Sequence, residues 1–170
     1  MRGVQSKRTG SFGNLPDEIM LRTIARTVWH ILPHSVLLKM IRVTQTKFTV
    51  SAAAVILNDK EEVLVLNHAL RFHSGWGLPG GFIGKGEQPE DGIRREIREE
   101  TGIELDALRL ISVRIINRHV EMMFAATAVG EPEVKSREIL ELGWFHRNSF
   151  PGKMGGPQKQ MVDKVLNGEV

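Results

Sequence analysis

The chain has 170 residues, a net charge of +3 and no cysteine. That length suits one compact domain with a core of its own, and the lack of cysteine excludes disulfides, thiol nucleophiles and cysteine-bound zinc. Charged residues make up 25% and apolar residues 41%, the balance of a globular protein, while the slight positive excess suits an anionic small molecule and is too weak to imply nucleic acid.

No apolar run reaches the roughly 18 residues of a membrane span, so no stable membrane insertion is expected. The opening MRGVQSKRTGSFGNLP lacks the apolar centre of a signal peptide, and the cytoplasm is the expected location. Residues 1–15 are rich in Gly, Ser, Lys and Arg and are expected to be mobile. Pro16 and Asp17 mark a helix start. Ile24, Val28, Ile31 and Leu32 then fall at helical spacing, Pro33 interrupts, and HSVLLKMIRV reads as a second short helix. Together they define a helical extension, residues 16–46. Its apolar positions mix with Arg22, Arg26, Lys39 and Arg42, and packing on the domain or a homodimer contact is expected in preference to membrane-surface binding.

The pattern changes at Lys47. KFTVSAAAVIL and VLVL, separated by the polar NDKEE, read as two strands and a turn. A long loop with six glycines follows, NHALRFHSGWGLPGGFIGKGEQ. Pro89 opens a helix that runs to about Glu100, and Gly102 supplies its stop. LRLISVRIIN, HVEMMFAATAV and LELGWFH read as further strands, and Pro157 leads a final helix, QKQMVDKVLNG. Strands on both sides of the central helix predict an α/β fold with helices packed on a sheet.

The central helix carries the chemistry. At 100° per residue, Glu96, Glu99 and Glu100 fall within one arc of roughly 100°. Ile93 and Ile97 lie beside that arc and can anchor it to the core, while Arg94 and Arg98 lie on the far side, toward water. Negative charge at a helix C-terminus is unfavourable, as is like charge at three- and four-residue spacing, so a bound cation is the natural compensation. Hard oxygen ligands suit Mg²⁺ or Mn²⁺. The competing reading is a solvated helix laced by Glu90–Arg94, Asp91–Arg95 and Arg95–Glu99 pairs. The preceding glycine loop favours a site, because bare backbone can approach a ligand closely. Gly92 inside the helix has no functional explanation in the sequence; alanine there would be about 1 kcal/mol better.

The stretch Gly81 to Ile103 resembles the Nudix box: Gly, five residues, Glu, seven residues, Arg-Glu-apolar-any-Glu-Glu-any-Gly-apolar. Gly81, Glu87, Arg95, Glu96, Ile97, Glu99, Glu100, Gly102 and Ile103 fill every slot. WGLPGG before the box and Trp144-Phe145 near the end also look like this family, so residues 47–170 are expected to form one Nudix domain. The resemblance implies an α/β/α sandwich around a mixed sheet and cleavage of a nucleoside diphosphate linked to another group X, such as a sugar, ADP-ribose or a dinucleotide. A nucleoside triphosphate is the alternative substrate. It implies Mg²⁺ or Mn²⁺ on Glu99, Glu100 and Glu96, with Glu96 as ligand or base and a Gly80–Gly81 carbonyl as a further ligand. It also implies that Glu87 and Arg95 hold the loop to the helix.

A further acid is expected from Glu138 or Glu141, for which a solvated loop or strand end is the competing reading. Arg71, His68, His73, Arg114, Arg118 and His119 are candidates for phosphate contacts, each against a plain surface role. Trp76 is a candidate to stack on a base, against packing beside the loop; Trp144 is expected in the core. Marks of particular subfamilies are missing, the chain having no tyrosine. A non-catalytic nucleotide-binding module is the rival reading, although such proteins usually lack an acid of the box and this chain lacks none. A prenyl diphosphate isomerase of this family would need a reactive cysteine.

Overall fold

The computed structural model describes residues 19–20, 22–24, 26–27, 32–70, 75–151 and 154–170. The chain divides into two units, residues 1–46 and 47–170. In the first, the described residues between 19 and 27 are helical, and a helix α1 follows over His34–Thr44 with none of its residues buried. Residues 1–15, Pro16, Asp17, Val28 and Ile31 lie outside the described residues. No helix among the described residues is long and apolar enough to cross a membrane.

The second unit is a mixed sheet with helices. Its strands are β1 Thr49–Leu57, β2 Val63–His68, β3 Trp76–Gly77, β4 Gly80–Phe82, β5 Glu104–Ile116, β6 His119–Val129 and β7 Ile139–Phe145. Helix α2 spans Pro89–Thr101 and α3 spans Gly156–Leu166. The main path is β3-β2-β1-β6-β5, with β4 on β1 and β7 on β2. β1 runs parallel to β6 along its whole length and antiparallel to its other partners. Its second edge is shared: β4 takes Ser51–Ala53 and β2 takes Leu57.

Alternation along β1 builds two cores. Ala52, Ala54 and Ile56 face one side with Leu64, Leu66, Phe124 and the α2 residues Ile93 and Ile97. Ala53 and Val55 face the other with Val63, Val65, Met123 and the α3 residues Met161 and Val162. A central strand covered on both faces carries this kind of unbroken apolar run. Ile93 and Ile97 are wholly buried, as their helical spacing predicts. Gly102 caps α2 in the left-handed region at φ 76° and donates to the Arg98 carbonyl.

Three expectations change. The glycine loop is less extended than its composition suggests, because two short strands form inside it. Trp144 is only half-buried at the edge of the first core. Arg94 does not face water: it is half-buried, and its guanidinium donates to the Leu105 carbonyl, tying α2 to the start of β5.

Gly92 now has a reason. A Cβ there would lie 2.6 Å from Ile83 Cδ1 and 3.2 Å from Glu87 Oε2, so the bare backbone lets the loop pack on the helix. Gly80 is more constrained still. Its φ is +144°, and a Cβ would lie 2.2 Å from the Ala52 carbonyl oxygen and 2.6 Å from Ala53 Cα, both rigid backbone atoms. That region of conformational space belongs to glycine, and occupying it costs other residues about 1–3 kcal/mol before any clash. Gly80→Ala should therefore lower unfolding free energy by more than about 2 kcal/mol in urea titrations. Gly86→Ala, with φ +80° and nothing within 4 Å of the new Cβ, should lose only about 1–2 kcal/mol. Equal losses at the two positions would contradict the packing described.

Candidate functional site

β4 and the last turns of α2 meet over the shared edge of β1, and a cleft of about 460 Å³ opens there. It is lined by Gly80, Gly81 and Phe82 of β4, Glu96 and Glu100 of α2, Ser51 of β1, His119 and Glu121 of β6, and by His68, Glu138 and Gln158. The volume is in the usual range for a small-molecule site.

Arg95 organises the acidic helix. Its Nε and Nη2 donate to Glu87 Oε1 and Oε2 at 2.7 and 3.0 Å, a bidentate fork. Nη1 donates to Glu96 Oε1 at 2.9 Å and to Glu99 Oε2 at 3.3 Å. Nη2 also donates to the Phe82 carbonyl at 3.2 Å. Glu87 Oε2 accepts in addition from the Gly84 N–H at 2.7 Å. The arginine hydrogen bonds, and after them the Gly84 N–H, hold the Glu87 carboxyl down at about 2. Glu87, then Glu96, push the Arg95 guanidinium upward in turn. Much of the negative charge crowded on the helix is thus balanced by one side chain of the same helix.

The three glutamates of the arc occupy different environments. Glu100 is buried, with its Oε2 accepting from the Gly80 N–H at 3.3 Å and its Oε1 3.8 Å from His68 Nδ1. Glu96 lies flat against the main chain of β4: a Cβ on Gly81 would sit 2.4 Å from its carboxyl carbon. Glu99 has a side chain 59% exposed, rests on Arg95, and is not among the residues lining the cleft. Among the described residues no three His, Asp or Glu side chains converge on one metal position. What the cleft does offer a divalent cation is a hard oxygen set: the Glu96 and Glu100 carboxylates flanking the Gly80–Gly81 main chain.

Glu138 lines the cleft, and Glu141, facing Asn67 across the β2–β7 ladder, does not. His68 and His119 also line it. Arg118 is exposed in the β5–β6 turn, where its carbonyl accepts from the Thr49 N–H, and it is not a cleft residue. Trp76 packs edge-on against Phe145 at 5.5 Å in the second core, away from the lining residues. Arg71 and His73 lie outside the described residues. Sequence reasoning missed Ser51, Phe82, Glu121 and Gln158. Glu121 had a signal, being one charge inside the apolar HVEMMFAATAV; the others had none.

A mixed sheet carrying a glycine strand against a glutamate-rich helix end defines a class of fold and site together. Residues 47–165 match the NUDIX domain family, and the chain belongs to it. It is 34% identical over 104 residues to the 8-oxo-dGDP phosphatase NUDT18 of Mus musculus, covering 58% of this chain and 32% of that protein. A MutT-like protein of Streptomyces ambofaciens is 33% identical over 108 residues, 62% of this chain and 69% of the relative. The crystal structure of the MutT NUDIX hydrolase of Burkholderia pseudomallei is similar at a TM-score of 0.62 and 29% identity, over 70% of this chain and 98% of that one. The chain thus spans about a third of the mouse relative's length and most of the shorter bacterial ones.

The Glu87 shift sets a pH dependence. Its folded pKa is depressed from 4.5 to about 2, so its contribution is complete above about pH 4.5 and disappears as pH falls toward 2. Glu87→Gln should melt below the wild type at neutral pH, and the gap should close between pH 4.5 and 2. Thermal melts across that range check it; a gap independent of pH would contradict the assignment.

Proposed function

We propose that this chain is a divalent-metal-dependent pyrophosphohydrolase acting on a nucleoside diphosphate derivative. The observation that carries the reading is the charge of the cleft. Glu96, Glu100, Glu121 and Glu138 line it, and no Lys or Arg does among the described residues. Arg95 pairs with Glu96 and Arg114 with Glu121, yet the carboxylates are what face the cleft, and a pyrophosphate brought among them is repelled at short range, so the cleft suits an anionic substrate together with cations. Glu96, Glu100 and a Gly80–Gly81 carbonyl would hold Mg²⁺ or Mn²⁺, with Glu99 joining from the exposed side of the helix. When bound, the cation neutralises phosphate oxygens and makes water a stronger nucleophile.

The chain's own groups supply position and proton transfer. Arg95 keeps Glu96 against β4, and burial between Gly80 and His68 keeps Glu100 fixed. Glu96 serves as ligand or as base; Glu138, which also lines the cleft, is the second acid that would accept a proton. The substrate is an NDP linked to a second group, and a nucleoside triphosphate is the second choice. The mouse relative, by its name, acts on 8-oxo-dGDP, which supports a nucleoside diphosphate core.

Turnover of NDP-sugars, ADP-ribose, dinucleotides, nucleoside di- and triphosphates with Mg²⁺ and with Mn²⁺ tests the reading. At least one should be hydrolysed at a phosphoric anhydride, and chelation should abolish it. Glu100→Gln should reduce kcat by about 10²-fold or more while the metal-free protein stays as stable as the wild type. Failure of the whole panel would favour a non-catalytic binding module instead.

A further inference from the structure

The wall of the cleft facing away from α2 has its own construction. Strand register puts Phe82, Ser51, Glu121 and Arg114 in one row across β4, β1, β6 and β5. Thr49 and His119 pair in the next row on the same face. His119 braces the wall: Nδ1 meets Thr49 Oγ1 at 2.8 Å and Nε2 meets Ser51 Oγ at 2.9 Å. With both ring nitrogens engaged, it is a positioning residue and not a phosphate ligand. Its ring also packs edge-on to Phe82 at 5.9 Å, and Phe82 is 65% exposed, an open aromatic surface at the cleft mouth.

Glu121 carries the chemistry of this wall. Arg114 Nε donates to its Oε2 at 2.9 Å, and the Arg114 Nη2 contact goes to the same oxygen. A pure ladder pin would place the two-pronged guanidinium on both oxygens; here Oε1 is left as an acceptor. Arg114 balances the carboxylate's charge, so Glu121 needs no metal. Its remaining acceptor repels phosphate and attracts O–H or N–H donors.

Building on the hydrolase reading above, we propose that this wall receives the ring of the substrate that is not cleaved. Glu121 Oε1 and Ser51 Oγ select it by hydrogen bonds to donor groups, and Phe82 covers its apolar face. The shared chemistry is a donor-rich ring, and it has two sources, the nucleoside or the sugar of the linked group.

Equilibrium binding of product-like probes separates those sources and needs no turnover. Calorimetry with GMP, IMP, AMP and 2′-deoxy-GMP covers the nucleoside; glucose 1-phosphate covers the sugar. In Glu121→Gln, Arg114 holds the amide oxygen, so an N–H donor replaces the acceptor Oε1. The variant should bind the best donor-bearing probe at least ten-fold more weakly, and should lose little for the analogue lacking that donor. With a cleaved substrate, the loss should fall on KM and not on kcat. Ser51→Ala, which leaves the Arg114–Glu121 pair intact, should shift the same probes in the same direction, and it carries the test if Glu121→Gln does not fold.

Equal weakening of every probe, a kcat collapse at constant KM, or no measurable probe binding to the wild type would overturn the proposal. A wild type that hydrolyses nothing yet shows the donor-selective pattern would leave this subsite standing and remove the hydrolase reading. A wild type that turns over with no selectivity at Glu121 would do the reverse.

Discussion

The Arg95 guanidinium joins Glu87, Glu96, Glu99 and the Phe82 carbonyl, four groups from the loop, the helix and β4. Without that fork, Glu96 and Glu99 would repel one another at a helix end whose dipole already disfavours them. The fork also fastens the glycine loop to α2, which is what brings bare backbone within reach of two carboxylates. Gly81 and Gly92 are consequences of this clamp. At the first, no side chain can stand between the strand and Glu96; at the second, none can stand between the helix and the packed loop.

Arg95 balances part of the helix charge but leaves the cleft itself acidic. Its inner end holds Glu100, buried against Gly80; Glu121 lines it from β6 and Glu138 from the residue before β7. These acids differ in how they are compensated. Glu121 is paired with Arg114. Glu96 shares Arg95 with two other glutamates, and Glu100 meets the Gly80 N–H and His68 among its neighbours. Under the proposed function the cation sits at the junction of Glu96, Glu100 and the Gly80–Gly81 main chain, where two carboxylates flank bare backbone. On the two proposals made above, one cleft carries anhydride chemistry on the helix side and ring recognition on the sheet side.

Much of this was legible in the sequence because it is local. Helical periodicity placed Ile93 and Ile97 inward, and Pro89 and Gly102 marked the ends of α2. The spacing from Gly81 to Ile103 carried the family. What could not be read was set by pairing across distance. The separate fates of Glu96, Glu99 and Glu100 depend on which of them meets β4, and a helical wheel contains no strand. Arg94 turned inward to donate to the Leu105 carbonyl, a partner outside the helix. The Phe82–Ser51–Glu121–Arg114 row joins positions from 51 to 121, and three separate strand registers align them. Glu121 was visible as an anomaly in an apolar strand, but its meaning came from that register.

The central claim is that the acidic cleft admits a pyrophosphate only with a divalent cation. Calorimetric titration with the non-hydrolysable α,β-methylene-ADP, once with Mg²⁺ and once with chelator, tests it directly. Binding should appear with Mg²⁺ and fall at least 100-fold with chelator, and Glu100→Gln should weaken the Mg²⁺-dependent component. Equal affinity with and without the cation would contradict the claim.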